Sequence, residues 1–264
     1  MARSPALVSC LMLSRDRPEM AARAMRSFRD QTYPRLELVV VSQGTAAYRQ
    51  LLARLGREQG AGNVRVVGAG PGLTLGALRN LAVDAAAGEL VCQWDDDDGH
   101  HPERVARQVQ TLVEEGARAC YLTEHLHLVA PSRRVYWIDW TLNEARPDEY
   151  RVFPPTVLMV RDPALRYPEE GSRAMHGEDL SLAAQLFRGG RVATVRASGW
   201  LYLYVFHGAN QMPKAHHERL TQRRSAGAEV LRRHAAAIGE ALRSFGLDHP
   251  LEVCGPEGVA FGVR

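Results

Sequence analysis

Short apolar segments alternate with segments of helical periodicity over the first hundred residues, and this alternation limits the fold more than any other feature. The segment at 36–41 is almost continuously apolar, as in strands of parallel sheets that are buried on both faces. The predicted strands are at 7–13, 36–41, 64–67 and 89–94, and the predicted helices at 18–30, 45–59 and 74–87. This order predicts an α/β fold whose central sheet is mostly parallel and is covered by helices on both faces.

Four consecutive aspartates, at 95–98, follow directly after the last of these predicted strands. Like charges this close repel one another, and burying them is costly unless a cation or hydrogen-bond donors compensate. In open parallel sheets, ligands bind beyond the carboxyl ends of the strands, where these aspartates are expected to lie. The pattern therefore favours a divalent metal that is held by carboxylate oxygens and carries phosphate. A solvated acidic turn is the alternative.

The glycine-rich loop at 68–76 and the acidic run match none of three common ligand-binding motifs. A dinucleotide fingerprint, GxGxxG, fails because Leu73 occupies the place of its last glycine. The loop also lacks the Gly-Lys-Ser/Thr ending of a P-loop. An EF-hand with Gly99 at its glycine position would have Trp94 as the first ligand and Val105 in place of the glutamate, which excludes it.

Composition is that of an ordinary globular protein, with 45% hydrophobic and 24% charged residues. The net charge of +3 does not predict a nucleic-acid partner, although it fits a basic pocket for an anionic substrate. The four cysteines lie far apart without a CxxC pair, which predicts reduced thiols in a cytosolic protein. No segment approaches the roughly 18 apolar residues of a membrane-spanning helix.

The second half of the chain shows weaker patterns. A helix is predicted at 102–115 and strands at 120–123, 135–140 and 155–160, with an aromatic strand from Leu201 that ends at His207. Trp137 and Trp140 are expected either to stack on a sugar ring or to be buried. Prolines and a glycine among charged residues at 161–176 predict a loop that could close over a site.

A basic helical segment is predicted at 214–245, and residues 251–264 are predicted to be irregular. Such a helix packs on the core by default, but it can also bind an anionic membrane surface or a partner. Its apolar residues recur at helical spacing and form one stripe: Leu231, Ala235, Ile238, Leu242 and Phe245.

Several short motifs follow one another in a specific order between about residues 6 and 210. They are Ser14-Arg15-Asp16-Arg17-Pro18, Tyr33-Pro34, Gly76-Ala77-Leu78-Arg79-Asn80, Ala87-Gly88-Glu89, the aspartates at 95–98 as D-x-D-D, Pro102, and Gly177-Glu178-Asp179-Leu180. Their order and spacing resemble the family 2 glycosyltransferases of the GT-A fold. The resemblance implies an inverting transfer of a sugar from a nucleotide-diphosphate sugar, by default a UDP-sugar, to an acceptor hydroxyl. Because no Gln-x-x-Arg-Trp motif is present, a processive synthase is not expected.

The resemblance also implies a role for each candidate site residue. The residues implied in binding the nucleotide-sugar are Ser14, Arg15, Gln43, Arg79, Asn80, Asp95, Asp96 and Asp97, with Asp95 on the ribose. The implied cofactor is Mn²⁺ or Mg²⁺, which neutralises the departing diphosphate. Its implied ligands are Asp97, Asp98 (directly or through water) and His207. Asp179, with Glu178 beside it, is implied as the catalytic base, and capping of a helix is the alternative for this pair.

Two departures from the family pattern concern the nucleotide. Ser42 and Gln43 occupy the place of an aspartate pair that reads the base, and Arg15 occupies that of a stacking aromatic residue. Gln43 can still hydrogen-bond a base edge through its amide. Two alternative functions follow: a nucleotidyltransferase of related architecture, and a degenerate GT-A domain that only binds nucleotide or glycan.

The predicted organisation is a GT-A domain at 1–212 followed by a basic helical extension at 213–264. Within the domain, 1–101 is expected to bind the nucleotide-sugar and 102–212 the acceptor, which is a glycan, a lipid-linked molecule or a small molecule. The expected location is the cytoplasm, with peripheral contact to the inner face of the membrane through the basic helix.

Overall fold

The computed structural model describes residues 4–142 and 150–264. Within them the helices are α1 (Pro18–Arg29), α2 (Ala46–Glu58), α3 (Leu75–Ala85), α4 (Arg104–Glu114), α5 (Glu178–Gly189), α6 (Lys214–Arg224), α7 (Ala228–Arg233) and α8 (Ala235–Ser244). The strands are β1 (Val8–Leu13), β2 (Leu36–Ser42), β3 (Val64–Gly68), β4 (Leu90–Gln93), β5 (Gly99–His100), β6 (Ala119–Leu122), β7 (Glu124–Val129), β8 (Arg134–Asp139), β9 (Leu158–Val160), β10 (Val192–Val195), β11 (Tyr202–Phe206), β12 (Leu251–Gly255) and β13 (Gly258–Val263).

The described residues form two compact units. Unit 1 contains residues 4–97, 102–121 and 154–194, and unit 2 contains the described parts of 98–101, 122–153 and 195–264. Residues 213–264, predicted as a separate extension, thus belong to the same unit as 195–212.

Unit 1 is built on a sheet whose described strands follow the order β10-β6-β9-β4-β1-β2-β3. β1 pairs in parallel with β2 and β4, and β2 pairs in parallel with β3. β1, β2 and β4 are buried on both faces, as the continuous apolar run Leu38-Val39-Val40-Val41 shows, whereas β3 is only partly buried. β9 runs antiparallel to β4 and β6. The predicted α/β class and mostly parallel central sheet are therefore confirmed, with β9 as an exception.

The parallel strands bring two polar segments of unit 1 to one edge of the sheet. β1 ends at Leu13 and β4 ends at Gln93, and the two strands are neighbours. Residues 14–17 and 94–97 therefore leave the sheet side by side. Helix α1 begins at Pro18 and buries Met25 and Phe28 on its core face.

Unit 2 contains a second sheet that the sequence analysis did not predict. Its described strands follow the order β13-β12-β8-β7-β11-β5, in which β7 and β8 are antiparallel and β12 runs parallel to β8. The prediction that residues 251–264 are irregular was wrong, because β12 and β13 form an antiparallel pair here. Glycines weaken the local strand preference of this segment, and its order comes from pairing with β8.

The basic segment at 214–245 forms the helices α6, α7 and α8 of unit 2 rather than one continuous helix. Most of its apolar stripe lies in the hydrophobic core of the unit: Leu231, Ile238, Leu242 and Phe245 pack with Val135 and Val253. Core packing, the default interpretation, is therefore confirmed. The apolar stripe is covered by protein. The exposed residues of α7 and α8 include Arg232, Arg233 and Arg243 as well as Glu229 and Glu240.

Within 4–142 and 150–264, no helix is long and apolar enough to cross a membrane. All four cysteines are buried and free, which agrees with the predicted reduced thiols.

Candidate active site

The end of β4 is fixed before the aspartates begin. Trp94 is fully buried, and its indole N–H donates to the backbone carbonyl of Ala24 at 3.2 Å. The backbone N–H of Gln93 donates to the carbonyl of Val157 at 3.0 Å, and its carbonyl accepts from the Arg104 guanidinium at 3.1 Å. The acidic residues that follow therefore leave the sheet from an anchored point.

Asp95 lies in a buried ion-pair network with an arginine and a glutamate. Arg79, on α3, donates from Nη1 and Nη2 to Asp95 Oδ1 at 3.3 and 3.2 Å, and from Nε to Glu178 Oε1 at 2.9 Å. Gln93 Nε2 donates to Asp95 Oδ2 at 2.8 Å. Burial lowers the pKa of Arg79, but the carboxylates of Asp95 and Glu178 outweigh it and raise that pKa. One guanidinium thus joins the D-x-D-D motif to the Glu-Asp motif.

Asp179 lies in the first turn of α5, beside Glu178. Burial, followed by the negative charge of Glu178, raises the pKa of Asp179 to about 7, while the positive charge of Arg79 lowers it in part. Its Oδ1 accepts a hydrogen bond from the backbone N–H of Leu180 at 2.7 Å. Gly177, just before the helix, has a left-handed φ of 86° that turns the chain into α5. A carboxyl group with a pKa near neutrality is suited to act as a general base.

Asp96 and Asp97 share one guanidinium. Arg17, directly before α1, donates from Nη2 to Asp96 Oδ1 at 2.5 Å and from Nη1 to Asp97 Oδ2 at 2.9 Å. Burial, followed by the charge of Asp97, raises the pKa of Asp96 to about 7, against the lowering effect of Arg17. Asp96 Oδ2 is buried and lacks a hydrogen-bond partner among the described residues, whereas the Asp97 side chain is 20% exposed. Arg23 donates to the backbone carbonyl of Asp97 at 3.0 Å.

The turn between β1 and α1 is held by Tyr48 on α2. The Tyr48 hydroxyl is hydrogen-bonded to the Ser14 hydroxyl at 2.6 Å and accepts from the backbone N–H of Arg17 at 3.1 Å. Asp16 has a left-handed φ of 52°, which aspartate tolerates better than most residues do. Ser14 is buried and Arg15 is exposed. The predicted nucleotide contacts of these two residues stay predictions, and the observed role of Ser14 is to fix the turn.

Asn80 is buried and is hydrogen-bonded to the segment that precedes the Glu-Asp motif. Its Nδ2 donates to the carbonyl of Tyr167 at 2.9 Å and to Glu169 Oε1 at 2.7 Å, and its Oδ1 accepts from the backbone N–H of Tyr167 at 2.9 Å. Helix α3 approaches this segment closely at Gly76, where a Cβ would lie 1.9 Å from the carbonyl oxygen of Pro168. Asn80 therefore positions the 161–176 segment, and its contact with a nucleotide stays a prediction.

Gln43, predicted to read the base, follows β2 and is half-buried. Its Nε2 donates to the carbonyl oxygens of Gly70 at 3.1 Å and Leu73 at 3.2 Å. These bonds tie the glycine-rich loop to the end of β2. The side chain lies just beyond the carboxyl end of β2, and its base contact stays a prediction.

Asp98 and His207 belong to unit 2. Asp98 is only 2% exposed, and its Oδ1 and Oδ2 accept from the backbone N–H of Val205 at 2.9 Å and from the Tyr202 hydroxyl at 2.5 Å. Both carboxylate oxygens of Asp98 are thus used in hydrogen bonds within unit 2, and its predicted metal role stays a prediction. His207 follows β11, and its Nδ1 accepts from the backbone N–H of Ala209 at 3.4 Å. Its predicted metal role stays a prediction.

The residues around Asp97 fit a divalent ion by their chemistry. Carboxylate oxygens are the ligands that Mg²⁺ and Mn²⁺ prefer, and the partly exposed Asp97 adjoins an Asp96 oxygen that is buried without a hydrogen bond. In the described parts of the chain, no group of three or more His, Cys, Asp or Glu side chains is placed to hold a metal. An ion held by one or two carboxylates, with phosphate and water as the other ligands, agrees with both observations.

Arg17 and Tyr48 are site residues that the sequence analysis did not single out. Arg17 reaches aspartates that are 79 and 80 positions away in sequence. The sequence did contain a signal for Arg17. Arg17 follows β1, and the carboxyl ends of parallel strands lie at the same edge of a sheet. The order of strands does not, however, say which side chains meet at that edge.

Comparison with known proteins agrees with this architecture. Residues 9–139 match the sequence profile of the family described as Glycosyl transferase family 2, and no curated protein matches the chain. S. aureus TarS has a TM-score of 0.58 at 15% identity, over 90% of this chain and 49% of TarS. TarS 1–349 in complex with UDP-GlcNAc has the same TM-score and identity, over 80% of its chain. The mannosyltransferase PcManGT from Pyrobaculum calidifontis, in complex with GDP-Man and Mn²⁺, has a TM-score of 0.56 at 17% identity, over 91% of this chain and 73% of its own.

The chain spans about half the length of the TarS chain that it matches. The mostly parallel sheet, with its acidic residues at the carboxyl ends of the strands, defines the fold class as that of the GT-A glycosyltransferases. The chain belongs to glycosyl transferase family 2 and is a glycosyltransferase. The family, fold and enzyme class that the motifs predicted are therefore confirmed.

Proposed function

We propose that this glycosyltransferase is inverting, metal-dependent and non-processive, and that it moves a sugar from a nucleotide-diphosphate sugar to an acceptor hydroxyl. The observation that supports this most strongly is the network beyond the carboxyl end of β4. There Arg79 joins Asp95 to Glu178, and the adjacent Asp179 has a pKa of about 7. A donor-binding carboxylate and a candidate base are thus linked through a single arginine.

Asp179 is the proposed base. It takes the proton of the acceptor hydroxyl as that oxygen attacks the anomeric carbon on the face opposite the departing diphosphate, which inverts the configuration. Glu178 contributes through its negative charge, which helps to keep the pKa of Asp179 near neutrality. Arg79 holds Glu178 in place through the 2.9 Å bond from its Nε.

Asp95 is proposed to bind the ribose of the donor. The other residues proposed around the nucleotide-sugar are Ser14, Arg15, Gln43, Arg79, Asn80 and Asp96. A UDP-sugar is the default donor, and the GT-A fold itself accommodates more than one nucleotide, since similar structures are complexes with UDP-GlcNAc and with GDP-Man.

Asp97 is proposed as the protein ligand of Mn²⁺ or Mg²⁺, with Asp98 and His207 in support. A bound ion would neutralise the charge that develops on the departing diphosphate. The carboxylate chemistry of the site supports this proposal, as does the Mn²⁺ in the PcManGT complex.

The acceptor is proposed to bind through residues 102–212 and to be a glycan, a lipid-linked molecule or a small molecule. A cytoplasmic location with peripheral membrane contact is also proposed. Exposed arginines of α7 and α8 would provide that contact electrostatically, because the apolar stripe of these helices is buried.

Thermal-shift measurements with UDP-, GDP- and dTDP-sugars, each with and without Mn²⁺, test the donor and the metal together. We expect at least one donor to raise the melting temperature by several degrees, and to do so more strongly with Mn²⁺. Asp97→Ala should keep the fold and remove the dependence on Mn²⁺. If none of these donors stabilises the protein in a metal-dependent way, metal-dependent sugar transfer is the wrong function.

A further inference from the structure

Arg17 provides an internal counter-ion for two of the four aspartates. Its guanidinium bridges Asp96 and Asp97 at 2.5 and 2.9 Å, so one positive charge compensates two adjacent carboxylates. One of these carboxylates, Asp97, is the proposed metal ligand. A guanidinium and a divalent cation repel each other, and both prefer the same carboxylate oxygens.

The main chain presents Arg17 to the aspartates in a fixed direction. The Tyr48 hydroxyl accepts from the backbone N–H of Arg17 and is also bonded to the side chain of Ser14. Asp16 is left-handed and Pro18 begins α1, so the residues on both sides have restricted backbones. The Arg17 side chain is itself 38% exposed, which leaves it room to rotate toward solvent when another cation takes its place.

We propose that Arg17 competes with the divalent ion for Asp97. The metal-free site is then closed by an internal ion pair, and the ion binds tightly only when the diphosphate of the donor supplies further ligands. This inference rests on the proposed metal dependence and adds a residue that controls the order of loading. Arg17 acts here as a positioning residue, because it contacts the carboxylate of Asp97, the proposed metal ligand, and not the reacting atoms.

Binding of Mn²⁺ alone to the full chain tests this competition without any turnover. Isothermal titration calorimetry and the electron paramagnetic resonance signal of free Mn²⁺ would be compared for the wild type, Arg17→Gln, Arg17→Lys and Arg26→Gln. Arg26 lies on helix α1, which Arg17 directly precedes, and is exposed, so its variant controls for the loss of one charge.

Arg17→Gln should tighten Mn²⁺ binding by roughly three- to fivefold, the upper part of the range for a partly exposed ion pair. Arg17→Lys keeps the charge but loses the two-pronged geometry, so its affinity should fall between those of the wild type and Arg17→Gln. Arg26→Gln should change the affinity by less than about twofold, because solvent and salt screen an exposed charge. Circular dichroism would confirm that each variant is folded. If Arg17→Gln does not fold, the Mn²⁺ affinity of Arg17→Lys alone tests the competition.

Unchanged or weaker Mn²⁺ binding in both Arg17 variants would overturn the competition and make Arg17 an organiser of the aspartates. A second titration, with UDP present, separates this failure from a failure of the proposed function. If the wild type binds Mn²⁺ only with UDP and the Arg17 variants are no tighter without it, the competition alone is wrong. If neither the wild type nor any variant binds Mn²⁺ with or without UDP or GDP, both the competition and the metal dependence are wrong.

Discussion

At the scale of single residues, Arg79 is a buried cation held between two carboxylates of unit 1. Its side chain is 10% exposed and contacts Asp95 and Glu178, whose side chains are 20% and 5% exposed. Removing one member of such a group leaves a buried charge without compensation, which costs more than the intact pair contributes.

Arg79→Met should therefore lower the free energy of unfolding by about 3–5 kcal/mol. Urea unfolding at neutral pH measures this loss. Arg166→Met is the matched control, because Arg166 pairs with Asp84 at 2.6 Å where both side chains are well exposed. The control should lose no more than about 1 kcal/mol. Equal losses in the two variants would show that the Arg79 network does not stabilise the fold.

The motifs indicated candidate site residues, but they did not predict which residues pair. Arg79 and Glu178 lie 99 positions apart, and Arg17 and Asp96 lie 79 positions apart. Charge and spacing indicated that Asp95 and Asp97 lie at a strand end. The choice of guanidinium for each carboxylate depends on packing between helices and on the direction of each side chain, neither of which is local in the sequence.

At the scale of elements, the contact between α3 and the 161–176 segment depends on Gly76. Glycine within a helix normally costs about 1 kcal/mol relative to alanine. Here a Cβ would lie 1.9 Å from the carbonyl oxygen of Pro168, so the usual preference is reversed. The same contact brings Asn80 within hydrogen-bonding distance of the Tyr167 backbone.

Gly76→Ala should destabilise the protein by about 1–3 kcal/mol, as overpacking commonly does. It should also speed hydrogen exchange at the Tyr167 amide, which donates to Asn80 Oδ1. Gly70→Ala is the control, because a Cβ at Gly70 would meet no atom within 4 Å. Denaturant unfolding and amide exchange measure both effects. A stabilised Gly76→Ala variant would contradict the close contact.

The elements that the sequence predicted correctly are those with a strong local period. β1, β2, β4 and α1 are apolar runs or amphipathic segments with clear ends, and their bounds agree with the prediction to within a few residues. β5 is only two residues long and depends on pairing with β11. β12 and β13 are interrupted by glycines and are ordered by β8 and by each other. Long-range pairing of this kind leaves little trace in a single sequence.

At the scale of the whole molecule, unit 1 contains aspartates whose pKa values are raised by burial, and unit 2 contains histidines whose pKa values are lowered by burial. In unit 1, burial raises the pKa values of Asp96 and Asp179 to about 7. Between about pH 4 and 7, these two carboxyl groups are therefore protonated to a greater extent in the native state than in the unfolded chain. As the pH falls through this range, their proton uptake stabilises the folded state.

Unit 2 contains a row of buried imidazoles. His125 and His127, on β7, are fully or almost fully buried, and His127 lies 4.9 Å from the ring of Tyr204 and 5.2 Å from that of His217. Burial lowers the pKa of His127 to about 3 and that of His217 to about 4. The unfolded histidines bind protons below about pH 6.5, so unit 2 loses stability as the pH falls below that value. The raised pKa of Glu124 opposes this trend, but several histidines outweigh one carboxyl group.

His127→Phe should therefore make the protein less sensitive to acid between about pH 4 and 6.5. The slope of unfolding free energy against pH should decrease by up to about 1.4 kcal/mol per pH unit, which is the contribution of one proton. Tryptophan fluorescence during urea unfolding follows the change, since Trp137, Trp140 and Trp200 all belong to unit 2. His176→Gln, at an exposed histidine, is the control for the loss of one imidazole. An unaltered slope for His127→Phe would show that this imidazole is not buried in its neutral form.

Asp179→Asn tests most directly whether the Glu-Asp motif supplies the base of an inverting transfer. Donor affinity with Mn²⁺, measured by calorimetry, should stay within about twofold, while donor turnover to acceptor or water should fall by about 10²–10⁴-fold. The wild-type rate should rise with pH through about 7, because the carboxyl group must lose its proton to act as a base, and this rise should be missing in Asp179→Asn. An equal loss of donor binding and turnover, or turnover that survives the substitution, would contradict the assignment of Asp179 as the catalytic base.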